Sequence, residues 1–289
     1  MFKLKGESTV LKIIIFIAIS FSIALILDIM VLHGLLTLIT WGFIRMWSVT
    51  LSTILCSIIF KEDIYTNFKR FISISTKTIK FYLVSPLIVY LALGIYVILA
   101  IPFGLFNFST YIDLISEVIP REQAIIIAYV QMFSTYIPAI TINMFFALGE
   151  ELGWRGYLYY LLKSKPLIKI TIIIGAIWGL WHATAIILLG YNYQVNRLIG
   201  VPLFTILTIL FTYPQLLVTI KANGNVLPAS SFHGAINAIW GLTIIATKLP
   251  IGTREILLGL GIMGIIAWAI TNAILYILVK WKTSTIIRT

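Results

Sequence analysis

The stretch Val10–Leu32, VLKIIIFIAISFSIALILDIMVL, carries only two charges, Lys12 and Asp28. A membrane-spanning helix needs about 20 mostly apolar residues, and this run is long enough. Lys3 and Lys5 precede it, as basic residues precede a signal peptide. The run is long, however, and no small-x-small cleavage site follows, so it reads as a retained first span. Seven further apolar segments repeat the pattern: Leu35–Phe60, Phe81–Phe103, Ile125–Gly149, Ile170–Gly190, Ile199–Ile220, Ala229–Thr247 and Ile256–Lys280. The fourth is expected to continue as helix through Leu162. The longest polar segment, Lys61–Lys80, reads as an amphipathic surface helix. The expected fold is an all-α polytopic membrane protein of about eight transmembrane helices, a single domain over residues 1–289.

Composition agrees. The 289 residues are 60% hydrophobic and 11% charged, with a mean hydropathy of +1.04. An ordinary globular domain is roughly 25% charged. This excludes a soluble enzyme, a disordered chain and a secreted disulfide scaffold. Cys56 stands alone and can form no internal disulfide. The formal charge of +11 is explained by position. With the N-terminus inside, fifteen of the 21 Lys and Arg fall on the inner side and four, Arg121, Arg197, Lys248 and Arg254, on the outer. Arg45 and Arg155 fall within spans. The positive-inside rule then places both termini in the cytosol. Contact with anionic membrane lipids follows from the basic side. A nucleic-acid partner is not expected, because the basic residues are spread over five segments with no recognition motif.

Charges inside spans are costly and mark function by default. Asp28, one turn from the outer end of its span, reads as an interfacial carboxylate. Arg45 lies deeper and could snorkel, pair within the bundle or line a wet cavity. His33 falls in the outer turn between the first two spans and reads as a solvated loop residue.

The informative run is Gly149-Glu150-Glu151-Leu152-Gly153-Trp154-Arg155-Gly156. Neighbours on a helix point about 100° apart, so the two carboxylates cannot face one site equally. Arg155 follows Glu151 by four residues, the favourable spacing for an ion pair. Glu150 is left without an obvious local partner and is the candidate general base. Gly149 and Gly153, and likewise Gly175 and Gly179, form small-xxx-small pairs that let another helix approach closely. His182 closes the run Trp178-Gly179-Leu180-Trp181-His182. By itself it reads equally as a hydrogen-bonded core histidine or a catalytic one. His233 and Asn237 are four residues apart on one helix face. They could form an oxyanion hole or join helices by hydrogen bonds. Helical rise puts Glu150, His182, His233 and Asn237 at comparable, cytosol-proximal depths of about 6 to 18 Å, which points to one shared intramembrane site. There is no His-Glu-x-x-His zinc motif, no Gly-x-Ser-x-Gly elbow, and Asp28 is the single aspartate within a span.

These residues carry a resemblance. Glu150-Glu151-x-x-x-Arg155, the aromatic-x-x-x-His run from Trp178 to His182, and His233-x-x-x-Asn237 resemble the three ordered motifs of the CPBP (Abi) family. That family includes type II CAAX prenyl endopeptidases and bacteriocin-processing enzymes. The motifs cover residues 149–237, and the eight-span layout is similar to that of archaeal Ras-converting CAAX endopeptidases. Trp178 stands where the family usually has Phe. The resemblance implies an intramembrane hydrolase that removes the last three residues from a C-terminal Cys-a-a-X sequence bearing a prenylated Cys. Glu150 would activate water, His182 would hold and polarise it, and His233 and Asn237 would stabilise the oxyanion. Glu151, Arg155 and Trp178 would support them. A prenyl chain partitions into the bilayer, so a site open to lipid and to cytosol could take lipid and peptide together. The implied location is the prokaryotic plasma membrane, or the endoplasmic reticulum in a eukaryote.

No cofactor is expected. If a metal took part, Glu150, His182 and His233 would hold Zn with water as the fourth ligand. Two other function classes compete: a non-catalytic immunity or scaffold protein of the same family, and a proton-coupled transporter using Glu and His as a relay. Against the transporter stand the absence of visible repeats and the localised Glu/His/His/Asn set.

Overall fold

The computed structural model describes the backbone of residues 9–286, with side chains to residue 280. Lys3, Lys5 and Arg288, which entered the charge bias, lie outside the described residues. No strand occurs among the described residues. α1 (Thr9–Leu32) and α2 (Leu38–Ile59) form a hairpin. α3 (Ile64–Ile72) follows, with the Asp63 side chain capping its N-terminus on the Thr66 amide at 3.1 Å. It realises only nine residues of the expected Lys61–Lys80 surface helix, because the Ser75 cap starts α4 (Thr76–Ala100) at Thr76. Phe71 is the residue that α3 buries.

α5 (Phe108–Ser116) and α6 (Arg121–Ser134) pack on each other, and α7 (Tyr136–Ile140) continues from α6. The chain then breaks at Thr141. The expected span Ile125–Gly149 is therefore divided among α6, α7 and α8. α8 (Ile142–Glu151) runs on as a π-helical turn, Leu152–Leu158, and then α9 (Tyr159–Leu162). α10 (Leu167–Trp181) is followed by a second π-helical turn, Ala185–Leu189. α11 (Arg197–Lys221), α12 (Leu227–Ile239), α13 (Leu242–Ile245), α14 (Ile251–Leu257) and α15 (Ile262–Ile286) complete the chain.

Seven helices among the described residues are long and apolar enough to cross a membrane, against the eight spans expected. The stretch Ile142–Leu162 and α12 are not among them. The first holds Glu150, Glu151 and Arg155. The second has 13 residues, about 20 Å of helix. These are the elements that carry Glu150 and His233, and the other helices enclose them. α12 packs against α4, α7 and α8, α8 packs against α2, and α10 packs against α11. The glycine pairs work as expected. A Cβ on Gly149 would meet Trp47 of α2, and one on Gly153 would meet Val49. On α10, Gly175 and Gly179 touch the backbone of Ile209 and Thr205 in α11.

The two ends of the bundle differ. One end gathers α3, the turn after α9 and the turn after α11. The Val226 amide bonds Phe71 O at 2.8 Å, and Arg70 and Lys163 both lie over Tyr160. Lys12 pairs with Glu62 there at 2.5 Å, so α1 starts at this basic end. At the opposite end Trp41 packs on Tyr191, Tyr193 bonds Leu260 O at 2.5 Å, and Glu255 accepts the backbone amides of Gln194, Val195 and Asn196.

Candidate active site

Glu150 and Glu151 close α8, and both are buried. The angle between neighbouring positions sends them to different partners. Glu150 lines a cavity of 470 Å³. Its Oε2 accepts the indole N–H of Trp178 at 2.6 Å and that of Trp154 at 3.3 Å. Glu151 points away from the cavity. Its Oε1 accepts from Arg155 Nη1 at 3.0 Å, Gln215 Nε2 at 3.1 Å and His233 Nδ1 at 2.9 Å. Arg155 also donates to Thr212 Oγ1 at 2.8 Å and to Gln215 Oε1, with its guanidinium 4.2 Å from the centre of the Trp178 ring. The spaced pair Glu151–Arg155 is thus the centre of a wholly buried polar network.

His182 caps the C-terminus of α10. Its Nδ1 lies 2.9 Å from Trp178 O. A carbonyl only accepts, so Nδ1 carries the hydrogen and Nε2 of the neutral ring is left with a lone pair. Trp181, Phe204 and Tyr191 surround the imidazole. His233 gives Nδ1–H to Glu151. Its Nε2 therefore accepts in the neutral ring and donates in the protonated one. Asn237, one turn further along α12, is exposed and makes no side-chain hydrogen bond among the described residues. Glu150, His182, His233 and Asn237 all line the one cavity. No three His, Cys, Asp or Glu side chains among the described residues form a group able to hold a metal ion.

Asp28 is not at an interface. It is fully buried, and its carboxylate accepts from Arg45 Nε at 2.8 Å, Arg45 Nη2 at 3.2 Å, Trp41 Nε1 at 2.8 Å and Thr184 Oγ1 at 2.6 Å. It faces the interior of the bundle, and its closeness to a helix end gave no sign of which face it takes. Arg45 takes the second and third of its expected options together: it pairs with Asp28 and lines the cavity. His33 is exposed in its turn, as expected.

Sequence reasoning missed Trp154, Thr212 and Gln215. The i,i+4 spacing that joined Glu151 to Arg155 also joins Glu150 to Trp154 and could have found it. Thr212 and Gln215 are uncharged and 57 to 64 positions from their partners, so nothing local marked them.

The cavity is also lined by Leu38, Gly42, Tyr191, Gly241, Ile244 and Leu260. Leu38, Tyr191 and Leu260 stand toward the bundle end opposite the basic one.

Comparison with known proteins covers the same residues. Residues 132–239 match the family model of type II CAAX prenyl endopeptidases, Rce1-like. CAAX prenyl protease 2 from Methanococcus maripaludis is 35% identical over 113 residues, which is 36% of this chain. The match spans 41% of the length of that relative. The resemblance read from the three motifs is borne out, and every motif residue, from Glu150 to Asn237, lies in the segment matched by the family model.

Proposed function

We propose that this protein is an intramembrane endopeptidase that removes the C-terminal tripeptide from prenylated Cys-a-a-X substrates. The observation that carries the reading is Glu150, a carboxylate at the wall of an aromatic-lined cavity beside His182, His233 and Asn237. Glu150 takes a proton from water, and the hydroxide adds to the scissile carbonyl carbon. His182, through Nε2, orients that water. The oxyanion forms against the Asn237 amide and the protonated His233 ring, whose Nδ1–H is held by Glu151. Glu150 then gives its proton to the leaving amine as the C–N bond breaks. The products are the new carboxylate on the prenylated cysteine and a free tripeptide. Trp41, Trp178, Trp181 and Phe204 offer apolar walls to the prenyl chain.

No metal enters this scheme. The test is cleavage of farnesylated, geranylgeranylated and unprenylated Cys-a-a-X peptides by purified protein, with chelator present and absent. Cleavage of a prenylated peptide with chelator is expected. Failure to cut any of the three overturns the peptidase reading, and chelator inhibition reversed by Zn overturns the metal-free one.

A further inference from the structure

We propose that Arg45 receives the free C-terminal carboxylate of the substrate and so restricts cleavage to chain ends. The proposal rests on the peptidase reading and adds a specificity-determining residue to it. Arg45 is 3% exposed. Its fork is fixed on one side: Nε and Nη2 donate to Asp28, and Nη2 also donates to Trp181 O at 2.8 Å. The guanidinium lies 3.8 Å from the centre of the Trp181 ring. Asp28 is in turn held by Trp41 and Thr184. Together these contacts leave the arginine little rotational freedom.

The other side of the fork is unused. Nη1 makes no hydrogen bond among the described residues, although Arg45 lines the same cavity as Glu150 and His182. A purely structural Asp–Arg pair is complete without a cavity wall. This one leaves the two Nη1 N–H bonds without a partner in a residue that lines a cavity of 470 Å³. Arg45 is also the single Lys or Arg among the residues lining that cavity. A carboxylate brought into an apolar cavity needs a charge-assisted donor, and Glu150 in the same cavity repels it. The tripeptide to be released bears such a carboxylate. It ends about 10 Å from the scissile carbonyl when extended. An internal peptide bond offers no charge three residues on, so a fixed guanidinium in the same cavity distinguishes a chain end from a passing chain.

The experiment compares a farnesylated Cys-a-a-X peptide as the free acid with its C-terminal amide. A hydrogen bond to a charged group contributes about 1.5–3 kcal/mol, so wild-type protein is expected to prefer the acid by roughly 10- to 100-fold in kcat/KM. Arg45→Gln alone would leave Asp28 buried and unpaired. The main variant is therefore Asp28→Asn/Arg45→Gln, with Arg45→Lys as a second that keeps the charge and loses the fork. The acid-to-amide ratio is expected to fall to near 1 in the double variant and to an intermediate value in Arg45→Lys. The loss on the acid should appear in KM rather than kcat, because the contact exists in ground and transition states alike. A wild-type ratio near 1, an unchanged ratio in the variants, or a loss confined to kcat would each overturn the assignment. A binding arm needs no turnover: the free tripeptide acid should raise the unfolding temperature of wild-type protein in detergent, and its amide should not. Equal shifts from acid and amide sink the anchor alone, whereas failure to cut any prenylated peptide sinks the peptidase reading.

Discussion

Glu151 Oε1 accepts three hydrogen bonds, from Arg155, Gln215 and His233, while Glu150 receives two indole N–H groups and faces the cavity. Adjacent residues of the same type are thus expected to fail differently. Glu150→Gln keeps the shape and an oxygen for Trp178 but cannot take a proton from water. Peptide cleavage should drop about 10²- to 10⁴-fold, with the thermal unfolding midpoint near that of wild type. Wild-type turnover in this variant would remove Glu150 as the base. Glu151→Ala leaves the fully buried Arg155 short of its carboxylate, a loss of about 3–5 kcal/mol. Its unfolding midpoint should fall together with activity, and Glu151→Ala/Arg155→Met should recover part of the stability. A Glu151→Ala protein as stable as wild type would contradict the buried-network account. At this scale much of the site was legible, because charge is so scarce in the chain that Glu150, Glu151 and Arg155 stand out. Asp28 was misread for the complementary reason. Its partner Arg45 is 17 positions away on another helix, and a single sequence does not show which faces meet.

Two of the helices hardest to read from hydropathy hold much of the chemistry. Ile142–Leu162 and α12 carry Glu150, Glu151, His233 and Asn237, so their apolar signal is weakest where function is densest, while His182 and Arg45 come from the apolar spans α10 and α2. The break at Thr141 follows Pro138 by three residues, a signal the hydropathy of the segment masked, and the π-helical turns after Glu151 and at Ala185–Leu189 left no mark in the spacing. Such turns are rare and recur at functional sites; here one follows Glu151 directly and the other begins three residues after His182. Close helix packing was legible, because the small-xxx-small spacing has one physical use. Gly179→Val is expected to push α10 off Thr205 of α11 and to cost about 1–3 kcal/mol as overpacking. Gly94→Ala is the control, since a Cβ there meets nothing within 4 Å; in the interior of α4 it should be neutral or stabilising by about 0.5–1 kcal/mol. Thermal unfolding of both proteins in detergent checks the pair. Equal midpoints would mean that α10 and α11 tolerate separation.

For the molecule as a whole, the decisive quantity is which end of the bundle meets the cytosol. The basic end collects Lys12, Lys69, Arg70, Lys163 and Lys221, and the opposite end holds Arg197 and Arg254 near Glu255. Charge bias over short connections sets orientation, and it places the basic end inside. The cavity-lining residues Leu38 and Tyr191, at the opposite end of the bundle, would then face the other side, and the proposed prenylated substrate would enter from the outer leaflet or laterally through lipid. Single cysteines test this in a Cys56→Ala background, where the native thiol, buried in any case, is removed. Gln194→Cys, in the exposed loop before α11, should react with a membrane-impermeant thiol reagent on intact cells. Ser164→Cys, in the turn after α9, should react only after permeabilisation. The reverse pattern would put that end in the cytosol and make this chain an exception to the charge rule. It would also bring Glu150 within direct reach of cytosolic prenylated proteins. The same two labelled positions thus fix the orientation of the fold, and with it the side of the membrane that Leu38 and Tyr191 face.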